Sequence, residues 1–403
     1  MIRMLKVLSV IGTRPEAIKM APVIKELERY PNRIISRVLV TAQHRQMLDQ
    51  VLDLFDIEPD YDLNLMQRAQ SLSGVAAAVL TGLEPILADE RPDWVLVQGD
   101  TTTAMAASIA AAHAGIKVGH VEAGLRTHDK TQPFPEELNR RIAGVVADLH
   151  FAPTEWARRN LLRENVPAET VVVTGNPVID ALHMAGALPY PYPRGPLRDI
   201  PWHKRVMVVT AHRRENFGAP LESICAALRA LAARYGDDLH IVYLVHLNPN
   251  VLEPVRRLLG DTAGITLLPP LDYLPLVHLL KRSHLVLTDS GGLQEEAPSL
   301  GKPVLIMRET TERPEVLEAG TGRLVGTDRH TIVAEVGRLL DDAHAYRAMA
   351  HAANPYGDGR AARRIVAALD RASTDVEPLD QREQREEWVK EAVEWPRAVV
   401  GGA

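Results

Sequence analysis

The 403-residue chain predicts an α/β protein made of two doubly wound, Rossmann-like parallel-sheet domains with a ligand cleft between them. Three observations lead there. Short β-branched apolar runs recur along the chain and alternate with stretches of helical period, the pattern of strands buried on both faces of a parallel sheet. Each run ends abruptly in polar or charged residues, as strands do where their carboxyl ends open onto a crevice. A length of 403 residues exceeds one ordinary core and implies two or three domains at about 100–200 residues each.

The clearest run, Val206–Val209, leads through Thr210 and Ala211 into His212, Arg213, Arg214, Glu215 and Asn216. In chain order, Leu5–Ile11 ends in Gly12–Thr13–Arg14–Pro15–Glu16, Ile35–Val40 in Thr41–Ala42–Gln43–His44, Trp94–Val97 in Gln98–Gly99–Asp100, and Lys117–Val121 in Glu122–Ala123–Gly124. Past the midpoint, Ile241–Val245 ends in His246–Leu247–Asn248 and Leu285–Thr288 in Asp289–Ser290–Gly291–Gly292. The chemistry-bearing residues are thereby expected along one edge. Residues 1–178 form the first domain, closed by Thr174–Gly175–Asn176–Pro177, and residues 179–357 the second. Pro189–Pro193 reads as a surface connection, a helix at about 358–375 crosses back onto the first domain, and 376–403 is a charged tail.

Composition narrows the function. A formal charge of −6 with no basic block argues against a nucleic-acid groove. The longest apolar candidate read from the sequence, Ala104–Ala112, falls far short of the ~20 residues that span a bilayer, and no signal peptide is read at the start. Cys225 stands alone, so no intrachain disulfide or cysteine metal cluster forms; a cytoplasmic setting is expected.

The strand ends supply the candidate chemistry. Pro15 suits the first turn of a helix Ala17–Tyr30, where a missing N–H costs nothing. The amides there, with Arg14 and Lys19, can bind an anion; a solvated lysine is the ordinary alternative. Asp100 either caps the alanine-rich helix that follows or faces the cleft. Glu122 lies within Val118–Leu125, where a carboxylate is expected to be buried without a partner; that is costly unless it stays protonated, which marks it for chemistry. Of the two acids opening the next helix, Glu137 is assigned to the helix dipole and Glu136 to chemistry. In the second half, Thr288–Glu296 reads as strand end, N-cap serine, two bare glycines and helix. Amides at such a terminus bind phosphate oxygens, and Glu296 beyond them accepts ribose hydroxyls. Arg313, in the loop after Gly301–Met307, is either cleft-lining or solvated.

No Gly-x-Gly-x-x-Gly follows a strand, no phosphate-loop lysine motif is present, and no histidine pair has metal spacing, so neither cofactor nor metal is expected. A diphosphate grip facing three carboxylates describes a nucleotide-sugar site. The segments Val10–Lys19, Gln98–Thr103, His120–Arg126, His212–Glu215 and Asp289–Glu296 resemble the non-hydrolysing UDP-N-acetylglucosamine 2-epimerases, in order, from residue 5 to about 370. The resemblance implies a GT-B architecture, usually dimeric, closing over a UDP-sugar. It implies interconversion of UDP-GlcNAc and UDP-ManNAc by anti elimination of UDP to 2-acetamidoglucal and re-addition of UDP. Carried over by residue, Asp100, Glu122 and Glu136 become acid/base groups and His212 stabilises the departing diphosphate. Arg14 and Lys19 complete the anion site; Ser290, Gly291, Gly292 and Glu296 hold phosphate and ribose, and Arg313 touches substrate. In some bacterial members a second UDP-GlcNAc acts as activator near residues matching Gln43, Gln46, Arg213, Glu215 and His246. Leu271 and Leu276 stand where many relatives place a Gln and a Phe around uracil. An epimerase of a UDP-diacetamido or uronic sugar and a GT-B glycosyltransferase are the rival readings.

Overall fold

The computed structural model describes residues 3–41, 45–65 and 70–373, with the side chains of Arg45 and Gln46 left out. Gln43, the side chain of Gln46 and the 376–403 tail thus lie outside the described residues.

Two parallel sheets organise the chain. The first contains β1 (Leu5–Ile11), β2 (Ile34–Val40), β3 (Tyr61–Asp62), β4 (Trp94–Gln98), β5 (Lys117–Val121), β6 (Leu149–Ala152) and β7 (Val171–Val173). The second contains β8 (Arg205–Thr210), β9 (Leu239–Leu244), β10 (Ile265–Leu268), β11 (Leu285–Thr288), β12 (Val304–Ile306) and β13 (Gly322–Leu324). Their orders are β3-β2-β1-β4-β5-β6-β7 and β10-β9-β8-β11-β12-β13. Each order reverses direction once, between β1 and β4 and between β8 and β11. Loops diverge there to opposite faces and leave a crevice at the strands' carboxyl ends. This is the GT-B arrangement of two Rossmann-like domains expected from the sequence.

Alternation within the strands fills four apolar layers, two per sheet. Leu5, Val7, Trp94 and Leu96 pack on one face of the first sheet, and Leu8, Val10, Val95 and Val97 on the other. Met207 and Val209 face one side of the second sheet, and Val206 and Val208 the other. Both faces being covered explains why the runs read as continuous apolar stretches rather than alternating ones.

Helix Arg14–Glu28 packs against helices Pro177–Ala187 and Ala361–Ala372, so the last described helix rests on the first domain. Trp94 Nε1 donates to Ser373 Oγ (3.1 Å), and Asp180 accepts from the amides of Ala361 (3.1 Å) and Ala362 (2.9 Å). The chain passes from one sheet to the other twice, and the two passages touch: Asn176 N donates to Tyr356 O (2.7 Å). Gly175 (φ 84°) and Gly357 (φ 118°) flank this contact, and a Cβ on Gly175 would stand 3.1 Å from Tyr356 O. The proline-rich connection runs over the surface but is anchored. Tyr190 stacks on His278 with centroids 5.0 Å apart, and the Arg282 guanidinium lies over the Tyr192 and Trp202 rings at 4.5 and 4.4 Å.

One correction concerns the longest apolar segment. It is not Ala104–Ala112 but the 19-residue helix Leu72–Glu90, long and apolar enough to cross a membrane by length and composition alone. Val75, Val79, Leu83 and Leu87 bury one face of it. Its consecutive alanines, Ala76–Ala78, and a Pro85 within the helix hide the periodicity that marks an amphipathic helix.

Candidate active site

The β1 loop is shaped by what it must fit. A Cβ on Gly12 would collide with the Thr103 side chain, and Glu16 folds back from the following helix. Its buried carboxyl accepts from Gly12 N (3.1 Å) and Thr101 Oγ1 (2.7 Å), while burial pushes its pKa up to about 7 against those donors. Thr101, not Asp100, caps the alanine-rich helix, accepting from Ala104 N at 3.0 Å. Asp100 is left to pair with Arg140, and Asn139 Nδ2 fixes the Asp100 carbonyl at 3.0 Å. Arg140 lies one helical turn beyond Glu136, so the residue that holds Asp100 shares a face of helix Glu136–Val146 with Glu136. Glu136 Oε2 is buried with no hydrogen-bond partner among the described residues. Glu137 is fully buried and accepts from the Thr127 and His128 amides at 3.0 and 3.2 Å, the structural share of the acidic pair.

The structure corrects the reading of Glu122. It is buried but not unpartnered: Lys19 Nζ reaches Oε1 at 2.8 Å and Oε2 at 2.5 Å, Gln98 Nε2 donates to Oε2, and Asn176 Nδ2 donates to Oε1 at 3.1 Å. The charged partner comes from a helix more than a hundred residues upstream, which no local reading can see. Its backbone sits at φ 62°, the left-handed region that non-glycine residues seldom occupy and that clusters at functional sites. Lys19 is correspondingly an ion-pair partner here, and Arg14 Nη2 crosses the cleft to Leu271 O (3.1 Å); neither stands free as an open anion site. Leu271 and Leu276 pack into the second domain's core.

On the opposite wall, Asp289 directly follows β11 and anchors the loop after β8. Its Oδ2 accepts from His212 N (2.8 Å), Arg213 N (2.8 Å) and Asn216 Nδ2 (3.0 Å). His212 Nδ1 lies 3.0 Å from Oδ1. Burial works to raise the Asp289 pKa, but His212 and the amide donors outweigh it and hold the group below the usual carboxylate range. His212 is thus oriented from behind with its other edge toward solvent. Ser290 occupies the N-cap position without a side-chain cap; its amide donates to Thr288 Oγ1 (2.9 Å). Gly291 leaves room for Arg313, whose Cζ would be 3.2 Å from a Cβ there. Arg313 Nε donates to Glu295 Oε1 (2.7 Å) and Nη1 to Glu312 Oε2 (3.2 Å), so Arg313 is held in ion pairs rather than solvated. Glu296 is buried, and burial pushes its pKa up to about 7 although the Tyr273 hydroxyl beside it works the other way.

Of the candidate activator residues, His246 stacks on His212 (centroids 5.7 Å), Arg213 faces Glu312 (3.7 Å) and Glu215 pairs with Arg308 (2.6 Å). Of the three, His246 is the one in contact with His212, while Arg213 and Glu215 are held in ion pairs on the same loop. Residues that sequence reasoning passed over are Glu16, Gln98, Arg140, Asn176, Asp289 and Glu295. Asp289 and Glu295 were within a quoted motif, and their positions next to Ser290 and Glu296 were the available signal. Asn176 read as a turn residue because its partners lie far off in sequence.

A family model described as UDP-N-acetylglucosamine 2-epimerase matches residues 25–370. The UDP-N-acetylglucosamine 2-epimerase of Salmonella typhimurium is 56% identical over 376 residues, 91% of this chain and 98% of that protein. A crystal structure of a putative UDP-N-acetylglucosamine 2-epimerase from Listeria monocytogenes superposes with a TM-score of 0.87 at 46% identity, covering 93% of this chain and 98% of that one. The Neisseria meningitidis UDP-GlcNAc 2-epimerase, solved with UDP-GlcNAc bound, gives 0.81 at 48% identity over 91% and 99% of the two chains. With acids and a bare-amide helix terminus set at two facing switch points, and this likeness running through both domains, the chain belongs to the UDP-N-acetylglucosamine 2-epimerase family.

Proposed function

We propose that this chain interconverts UDP-GlcNAc and UDP-ManNAc by anti elimination of UDP to 2-acetamidoglucal and re-addition of UDP. The observation that carries the reading is the unbroken line of buried contacts Lys19–Glu122–Asn176–Glu295–Arg313 joining an acid on one wall to the helix terminus on the other. The C2 proton beside an acetamido group is weakly acidic, so a carboxylate must take it while the C1–O bond to UDP breaks. Re-addition closes that bond again and returns a proton to the opposite face of C2, which calls for acids on both faces of the ring. Asp100, Glu122 and Glu136 are the groups we assign to this work. The Ser290, Gly291 and Gly292 amides, Arg14 and Arg313 take the diphosphate, with His212 stabilising its departing charge. Lys19 is shared between Glu122 and that charge. Incubation with UDP-GlcNAc in D2O, followed at C2 by NMR, tests the reading. Deuterium at C2 with UDP-ManNAc appearing supports it; free UDP with free ManNAc, or an inert sugar, overturns it.

Glu296 gives a pH signature. A carboxylate accepting both ribose hydroxyls must be ionised, and its pKa near 7 means that ligand binding releases a proton below that pH. UDP-GlcNAc affinity, measured by calorimetry, is expected to rise up to about tenfold per unit between pH 5.5 and 7 and then flatten, by proton linkage. Glu296→Gln is expected to remove the slope. Because the folded pKa lies above the ordinary 4.5, the unliganded fold is correspondingly most favoured below pH 4.5 and loses that contribution as pH rises through 7.

We further propose a homodimer through helix Leu72–Glu90, whose apolar residues are buried along one face only. Leu72 is exposed, and Ala76, Leu80 and Ile86, though packed against the core, keep part of their surface for a second copy. Leu80→Arg is expected to give monomers in light scattering, with the fold retained by circular dichroism; an unchanged dimer mass would remove this helix from the interface. A second UDP-GlcNAc acting as activator at Gln43, Gln46, Arg213, Glu215 and His246 is part of the proposal, and linear initial rates from UDP-ManNAc alone, unaffected by added UDP-GlcNAc, would exclude it. A buried, unpaired Cys225, its thiol pushed up to about 12 by burial, suits a cytoplasmic enzyme.

A further inference from the structure

We infer that Asn176 is the positioning residue that sets Glu122 against the diphosphate grip, one amide group registering the two domains for the reaction. This rests on the epimerase reading above. Three observations carry it. Asn176 is only 1% exposed, and its Nδ2 donates to carboxylates from both walls, Glu122 Oε1 at 3.1 Å and Glu295 Oε2 at 2.8 Å. The remaining polar atom, Oδ1, accepts from Val178 N at 3.1 Å and caps helix Pro177–Ala187, so the rotamer is fixed and the amide cannot flip. Finally, the residue sits in one interdomain passage and is tied through its backbone to the other, at Tyr356 O (2.7 Å).

The geometry makes the amide irreplaceable by a carboxylate. Two buried carboxylates approach one another through it, and an acceptor in its place would satisfy neither and add a third like charge. The far carboxylate, Glu295, is held on its other oxygen by Arg313, the side chain lying over Gly291 at the phosphate-binding terminus. A shift of the phosphate wall is therefore transmitted through Glu295 and Asn176 to the oxygen of Glu122 nearest the passage. An error of about 1 Å in placing a reacting group is enough to cost roughly a hundredfold in rate.

The test uses the whole chain with two variants. Asn176→Asp keeps the shape and the helix cap but turns the donor into an acceptor facing Glu122 and Glu295, with Lys19 and Arg313 the neighbouring cations. Asn176→Ser keeps a cap and one donor. We expect C2 deuterium exchange at pH 8 to fall by about 100-fold in Asn176→Asp and about tenfold in Asn176→Ser, with UDP affinity within about threefold of wild type. The Asn176→Asp defect is expected to shrink toward pH 6, where a protonated carboxyl regains one donor; a purely structural role would not produce that shape. Wild-type exchange with both variants equally active, or equal losses in kcat and UDP affinity at every pH, overturns the inference alone. A wild type that exchanges no C2 deuterium overturns the epimerase reading and the inference with it.

Discussion

Glu122→Gln is expected to lower deuterium exchange at C2 by ~10³-fold, the middle of the range for a displaced general acid or base. UDP affinity is expected not to fall, since the phosphate-binding amides are untouched and the Lys19 ammonium released from Glu122 stays with the diphosphate. The argument turns on how Glu122 is held. Lys19, Gln98 and Asn176 all donate to its two oxygens, so the group is fixed as an acceptor aimed into the junction, and its φ of 62° places it there at a conformational cost of order 1–3 kcal/mol. A glutamine fills the same volume but presents N–H to a wall of donors and leaves the Lys19 ammonium without its partner. Exchange and affinity should be measured with a melting curve alongside, so that loss of fold is separated from loss of the base. Exchange persisting near the wild-type rate would move the proton-abstracting role to Asp100 or Glu136, whose Oε2 is a buried carboxylate oxygen without a hydrogen-bond partner among the described residues.

What the sequence could show follows from the range of each signal. Strands and their polar ends are local: Leu5–Ile11, Lys117–Val121 and Leu285–Thr288 are readable because burial on both faces forces apolar runs, and the runs must stop where a crevice opens. The bare Gly291–Gly292 terminus is local as well. Pairing is not. The reading of Glu122 as unpartnered failed because its counter-ion, Lys19, comes from the β1 side of the switch point, and the two meet only when β1 and β4 become neighbours. The cap of helix Thr102–His113 went to Thr101 rather than Asp100 because one residue of shift decides which side chain reaches Ala104 N. Helix Leu72–Glu90 was missed since small residues on all sides leave little contrast between its faces. Asn176 carries no local signal, Glu295 only its place beside Glu296 in the helix terminus, and the role of both exists only where two domains meet.

Arg313→Met is expected to be the most destabilising change in the cleft, and its companion Glu295→Gln to repair it. Arg313 and Glu295 form a buried pair at 2.7 Å, and Glu295 is 1% exposed. Burial raises the Glu295 pKa, and Arg313 is the largest influence opposing it. Removing one partner of such a pair costs about 3–5 kcal/mol because it strands the other. The nearby Lys19 ammonium favours the lower end. At roughly 2–4 °C per kcal/mol for a domain of this size, melting should fall by about 10 °C. A neutral glutamine at 295 removes the stranded charge while its carbonyl still accepts from Asn176, so the double variant should regain most of the loss, a non-additivity of about 1–3 kcal/mol. UDP-GlcNAc binding should remain at least about tenfold weaker in both, because the cation over Gly291 is gone in each. Stability repaired without affinity would separate the two tasks of Arg313, neutralising Glu295 and gripping the diphosphate. A double variant as unstable as Arg313→Met would show that packing over Gly291, not charge, is what the guanidinium supplies to the fold.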